Sequence, residues 1–117
     1  MEIINKNNSK RIRLADSYFK RLKGLMFSKD IDYGLLIETS ISSDIHTCFM
    51  RFPIDVYFIK DSLIFDKATL NPWSFYKPCK KADFVLEFKK DDFKIRKEDE
   101  ISIIRNNQEY LKASRKY

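Results

Sequence analysis

At 117 residues with 44% hydrophobic and 15% aromatic content, the chain can build one core and is too apolar to be disordered throughout. Its net charge of +6 favours solubility and weak attraction to polyanions without specifying a partner. No window approaches the roughly 18 uninterrupted apolar residues of a spanning helix, so no transmembrane segment is expected and a soluble, cytoplasmic protein is.

In chain order, Ile3-Ile4 and Arg11-Ile12-Arg13-Leu14 flank a polar turn and predict an N-terminal hairpin. Asp16 or Ser17 then caps a short helix in which Phe19, Leu22, Leu25 and Met26 recur at helical spacing, with Gly24 as its stop. Tyr33 to Glu38 is the next strand. Ile45 to Met50 and Ile54 to Ile59 follow as two more, separated by Arg51-Phe52-Pro53. Alternation puts His46, Cys48 and Met50 on one face of the first of them. Both faces are largely apolar, as in a strand covered on two sides. Leu63 to Leu70 is an antiparallel partner. Asn71 to Lys81, with Pro72 and Pro78, is a long loop of the kind that carries binding elements. Phe84 to Lys89 alternates, with Phe84, Leu86 and Phe88 inward and Glu87 and Lys89 outward. Ile101 to Ile104 closes the sheet. The predicted architecture is α+β and mostly β, a small, partly open antiparallel or mixed barrel with one short N-terminal helix. Residues 1–105 form a single domain, and 106–117 a polar, basic tail that frays or is weakly helical.

Three stretches carry a resemblance: Lys20-Arg21-Leu22-Lys23-Gly24-Leu25-Met26, then His46 to Asp55, then Val85-Leu86-Glu87. Over residues 12 to 104 the chain resembles the family known as domain of unknown function 192. Arg21, Gly24, Leu25 and Met26 fit that family's Arg-x-x-Gly-Leu-Met signature. Pro53 and Asp55 fit its Trp-Met-x-Asn-Thr-x-x-Pro-Leu-Asp motif, with His46, Thr47 and Met50 at altered positions, as in a His-Thr variant branch. The family usually has a glycine after the Val-Leu-Glu strand and a Gly-Asp pair before the last strand. This chain has Lys89-Lys90-Asp91 and Glu98-Asp99 there. The resemblance implies a compact β-rich fold and no established activity.

His46 and Asp55 are the polar anomalies of the central apolar band. The sole histidine suits a general base, a hydrogen-bond donor or a metal ligand, although a lone strand histidine is more often a satisfied core residue. Asp55 can orient His46 or anchor a turn through backbone amides. Arg21 can reach Asp55 as a structural clasp or an anion site. Pro72-Trp73 with Tyr76 makes either an aromatic wall for a sugar or base, or a hydrophobic plug. Cys48 and Cys79 form no disulfide framework and sit in no zinc spacing. Free thiols are the first expectation and a single disulfide the alternative, and neither a metal nor another cofactor is expected. With only Gly24 and Gly34, a glycine-rich phosphate loop is excluded.

Three functions fit. The first is a small binding or accessory module whose groove, lined by Arg21, His46, Thr47, Asp55 and Trp73, takes a polar, anionic or glycan-like small ligand. The second is a nucleic-acid-binding module using the clusters Lys10 to Arg13, Lys20 to Lys23 and the tail from Arg105. The third is a hydrolase or transferase that uses His46 and Asp55.

Overall fold

Two alternating strands, β1 (Glu2–Asn5) and β2 (Asn8–Ala15), form the expected hairpin, in register from Glu2 opposite Arg11 to Asn5 opposite Asn8. The computed structural model describes residues 1–15, 25–39 and 42–116. Further strands are β3 (Gly34–Glu38), β4 (Ile45–His46), β5 (Ile54–Lys60), β6 (Leu63–Leu70), β7 (Phe75–Tyr76), β8 (Phe84–Lys89), β9 (Glu100–Arg105) and β10 (Gln108–Arg115). Eight of them close into a barrel in the order β1-β2-β3-β8-β5-β6-β10-β9, while β4 and β7 pair separately as a two-stranded ribbon.

This corrects the predicted fold class in two respects. Among the described residues the protein is all β, and the barrel is closed rather than partly open. The expected helix falls largely on residues 16–24, outside the described residues, and Leu25 to Phe27, at its expected end, form a turn. Closure comes from the stretch expected to fray. Gln108–Arg115 is a strand that pairs antiparallel with β9 and, through Ser114 and Arg115, parallel with Leu63 and Ile64 of β6. Its alternating polar residues gave no run of apolar ones to read, yet a strand with one wet face needs only a few inward contacts. Ala113 supplies one of them. Asp99 ties the seam, its carboxylate accepting from the Asn5 amide at 3.0 Å and the Arg96 N–H at 2.8 Å.

Alternation along the central strands makes two cores. Leu36, Leu86, Tyr57 and Ile59 join Ile3, Ile12, Ile64, Ile101, Ile103 and Ala113 inside the barrel, with a contribution from every barrel strand. The opposite faces of β3, β8 and β5 carry Leu35, Ile37, Val85, Ile54, Val56 and Phe58 into a second cluster outside it. Leu25, Ile31, Met50, Phe52 and Ala82 cover that outer face. Gly34 permits the tight β2–β3–β8 contact, because a Cβ there would lie 2.4 Å from the Phe88 ring, itself stacked on Phe93. Phe93 and Ile95, from the loop after β8, plug one end of the barrel.

The two turns at which the resemblance implied glycine keep left-handed backbone without it, with φ at 65° for Asp91 and 72° for Glu98. A side chain in that region costs about 1–2 kcal/mol. Glu98→Gly is therefore expected to raise stability by about 1 kcal/mol, read as a higher urea midpoint at constant slope. An unchanged or lower midpoint would show that this turn carries no strain.

Candidate functional site

Thr47 organises the surface beside the second core. It is fully buried, and its hydroxyl donates to the Asn71 carbonyl at 2.6 Å while accepting from the Ser74 N–H at 2.7 Å. Its own N–H donates to the Ser74 carbonyl, and its carbonyl accepts from the N–H groups of Met50 and Trp73. A β-branched hydroxyl residue is stiff at χ1 and suits such a junction. The junction ends β4 after His46, so the strand expected to run to Met50 turns at Cys48 and Phe49 instead. The expected alternation of His46, Cys48 and Met50 on one face stops there.

What this junction holds outward is aromatic. Phe27 stacks on Phe49 with centroids 5.1 Å apart, and Phe49 meets Trp73 at 4.7 Å and 60°. Phe27, Phe49, Trp73 and Phe75 are 58%, 47%, 62% and 79% exposed. Phe27, Phe49 and Trp73 also adopt left-handed backbone, at φ 66°, 64° and 63°. Bulky residues pay for that conformation, and three linked through the Phe49 ring mark a surface maintained against local preference. The Phe27 N–H donates to the Phe49 carbonyl, which fixes the first pair.

Of the predicted site residues, His46 and Asp55 make separate sets of hydrogen bonds. His46 is half-buried on β4, opposite Phe75, and its Nδ1 accepts from the Cys48 N–H at 3.3 Å. Asp55 is buried on the inward-facing side of β5 and accepts from the Thr69 hydroxyl at 2.6 Å and the Asp91 N–H at 2.9 Å. It anchors the plugging loop. No hydrogen bond joins His46 to Asp55, each having other partners. Arg21 lies outside the described residues. Thr47 and Trp73 do come together, with Trp73 presented rather than enclosed. The partner expected beside it, Tyr76, turns inward: its ring meets Phe58 at 5.5 Å and its hydroxyl donates to Asp66 at 2.6 Å. That bond, more than anything else, pushes the Tyr76 hydroxyl up to about 12.

Of the predicted basic clusters, Lys20 to Lys23 lies outside the described residues, and members of the other two have partners. Lys10 pairs with Asp92, Arg11 with Asp32, and Arg13 lies over the Tyr33 ring. Arg105 lies near Tyr110, and Arg115 donates to the Ile95 carbonyl. Cys48 and Cys79 are both free thiols. Among the described residues no group of three or more His, Cys, Asp and Glu is placed to hold a metal, and no helix is long and apolar enough to cross a membrane.

Glu87 is a further departure from the sequence reading. It points out of the barrel as alternation required, but the outer cluster covers it, leaving 2% exposed and its Oε2 without a hydrogen-bond partner. Burial pushes its carboxyl up to about 7.

The family model described as uncharacterized ACR, domain of unknown function 192, matches residues 2–103, and the chain belongs to that family. It is 36% identical over 94 residues to a UPF0127 protein of Thermococcus sibiricus, covering 73% of this chain and 61% of that protein. It is 39% identical over 80 residues to one from Pyrococcus furiosus, covering 65% and 69%. The chain thus spans about three-fifths of the Thermococcus relative's length. Two solved structures share the fold. A protein of unknown function from Novosphingobium aromaticivorans superposes with a TM-score of 0.66 at 16% identity, over 78% of this chain and 74% of that one. A putative transcription regulator from Sinorhizobium meliloti superposes at 0.63 and 21%, over 75% and 77%.

Glu87 makes stability depend on pH. The unfolded side chain ionises near 4.5, whereas the folded one stays protonated until about 7. Its stabilising contribution is therefore complete below 4.5, falls across that window and is exhausted above 7, a loss of roughly 3 kcal/mol. Glu87→Leu is expected to flatten this slope and to be the more stable protein at pH 8 by urea denaturation. Equal slopes for the two proteins would contradict the assignment.

Proposed function

We propose that this family member is a binding module, without catalysis by His46 or Asp55, whose aromatic surface of Phe27, Phe49 and Trp73 receives a glycan-like ligand. The observation that carries the reading is the backbone at those three residues, strained while their rings stay exposed. Rings turned outward at a cost serve a contact made with something else.

The spacing favours a sugar over an inserted base. A base sandwiched between two rings needs them about 7 Å apart, twice the closest carbon–carbon contact distance. Here the ring centroids are 4.7 and 5.1 Å apart, so the rings pack on each other and offer only an outer, curved face. Such a face suits the puckered, C–H-rich side of a pyranose, with hydroxyl groups reaching polar atoms at the rim. His46 is paired opposite the exposed Phe75, next in the chain to the Thr47–Ser74 junction. The bond from the Cys48 N–H to His46 Nδ1 and the burial of Asp55 support the non-catalytic reading, because a base poised for proton transfer needs a free lone pair within reach of its substrate. Ion pairing of Lys10 and Arg11 weighs against a continuous phosphate-tracking face.

Trp73 is the only tryptophan, so its emission reports the site directly. Titration with neutral oligosaccharides is expected to shift that emission saturably, and Phe49→Ala to weaken binding at least ten-fold at unchanged melting temperature. Saturable binding with Trp73 emission unmoved, or affinity indifferent to Phe49→Ala, would exclude the aromatic surface as the site.

A further inference from the structure

The β4–β7 ribbon has two ends, and they differ in chemistry. At one, Thr47 and Ser74 lock the aromatic surface. At the other, past the Ile45–Tyr76 pair, the chain opens into a depression of about 240 Å³ lined by Ser42, Ser43, Asp44 and residues 77–81. Lys77, Lys80 and Lys81 face it against one acid, Asp44. Other lysines of the surface are ion-paired, Lys6 with Asp99, Lys60 with Asp83, Lys89 with Asp30 and Lys112 with Glu100. Among the described residues, none of the three lysines here has an ion-pair partner. Lys80 is held with its Nζ 4.8 Å from the centre of the Phe65 ring. Ser43 is 3% exposed, and its hydroxyl accepts from the Ala82 N–H at 2.9 Å, which leaves its proton to be donated elsewhere.

We infer that this depression is an oxyanion subsite of the same binding surface, and that the ligand is an acidic oligosaccharide, with a ring on the aromatic end and a sulfate or carboxylate among the lysines. The inference rests on the aromatic reading and deepens it by naming the ligand's charge. Two residues of ribbon on each strand, three steps of chain, separate the Thr47–Ser74 lock from the Asp44–Lys77 end, about 10 Å at strand rise. A single sugar does not bridge that distance, and a short oligosaccharide does. Ammonium groups on flexible stems tolerate a substituent whose position varies between sugars, whereas the buried Ser43 hydroxyl adds direction.

The test uses the full chain, Trp73 emission and calorimetry, with four probes: a sulfated tetrasaccharide, its desulfated counterpart, inorganic sulfate, and a single-stranded oligonucleotide. The wild type is expected to bind the sulfated sugar at least ten-fold more tightly than the desulfated one. The triple variant Lys77→Ala, Lys80→Ala, Lys81→Ala should lose that preference, keep the desulfated sugar's affinity and keep its melting temperature. Inorganic sulfate should compete with the sulfated sugar only. Equal affinity of the wild type for both sugars, or the same preference in the triple variant, overturns the subsite and leaves the aromatic reading standing. Lysine-dependent binding of the sulfated sugar without any change in Trp73 emission keeps the subsite and overturns the aromatic reading. Tighter binding of the oligonucleotide than of the sulfated sugar overturns the ligand class. Should the triple variant fail to fold, Lys81→Gln at an exposed position is expected to lower the preference at least two-fold, and an unchanged preference counts against the subsite.

Discussion

The structure depends on one constraint: β3 and β5 carry apolar side chains on both faces, and β8 adds Val85 to the outer one, so a closed barrel buries only part of what they carry. Leu36, Leu86 and Tyr57 are satisfied by closure, but Leu35, Val85, Val56 and Phe58 are left on the outside and need a second cover. Exposed, each such side chain would forfeit about 1.5–3 kcal/mol. The segments around residues 25–33 and 45–53 and the loop after β6 supply that cover. Everything distinctive about the surface follows from having this extra layer. The β4–β7 ribbon belongs to it, the Thr47 junction fastens it, and the aromatic rings stand on its rim. Glu87 is buried by the same layer, a carboxyl that would be wet on any one-layer barrel.

Strands were legible where their pattern was local. The Phe84–Lys89 alternation and the apolar run Ile54–Ile59 could be read directly as strands, whereas the two-sided cover expected of Ile45 to Met50 belongs in the structure to Ile54–Ile59. The β10 strand was not, because its partners lie elsewhere in the chain and its own residues are mostly polar. Propensity is a poor guide where tertiary pairing decides. For the same reason Ile45 to Met50 misled: its composition is that of a strand, but Thr47 bonds to Asn71 and Ser74, over 20 residues away, and the chain turns.

The candidate site was legible in part. Trp73 could be singled out from a proline-bearing loop, and Asp55 from its place after Pro53. Asp55 then took the turn-anchoring role of the two open to it, with Thr69 and Asp91 as partners. Phe27, Phe49 and Phe75 carried no signal, since an exposed loop phenylalanine and a core phenylalanine look alike in sequence. Left-handed φ at three aromatic residues is visible only in coordinates. Likewise, Glu87 sits in a perfect polar position of an alternating strand, and only the second layer makes it buried.

The central claim, that the rim of the outer layer is a recognition surface supported by the Thr47 junction, is tested most directly by mapping backbone and indole NMR shifts during titration with the sulfated tetrasaccharide. The account predicts movement concentrated at Phe27, residues 46–49 and residues 73–81, with Trp73 Nε1–H among the largest changes and the barrel-interior residues Ile3, Leu86 and Ile103 still. Shifts centred on the Asp55 and Asp91 end of the barrel, with the Trp73 indole unmoved, would contradict it.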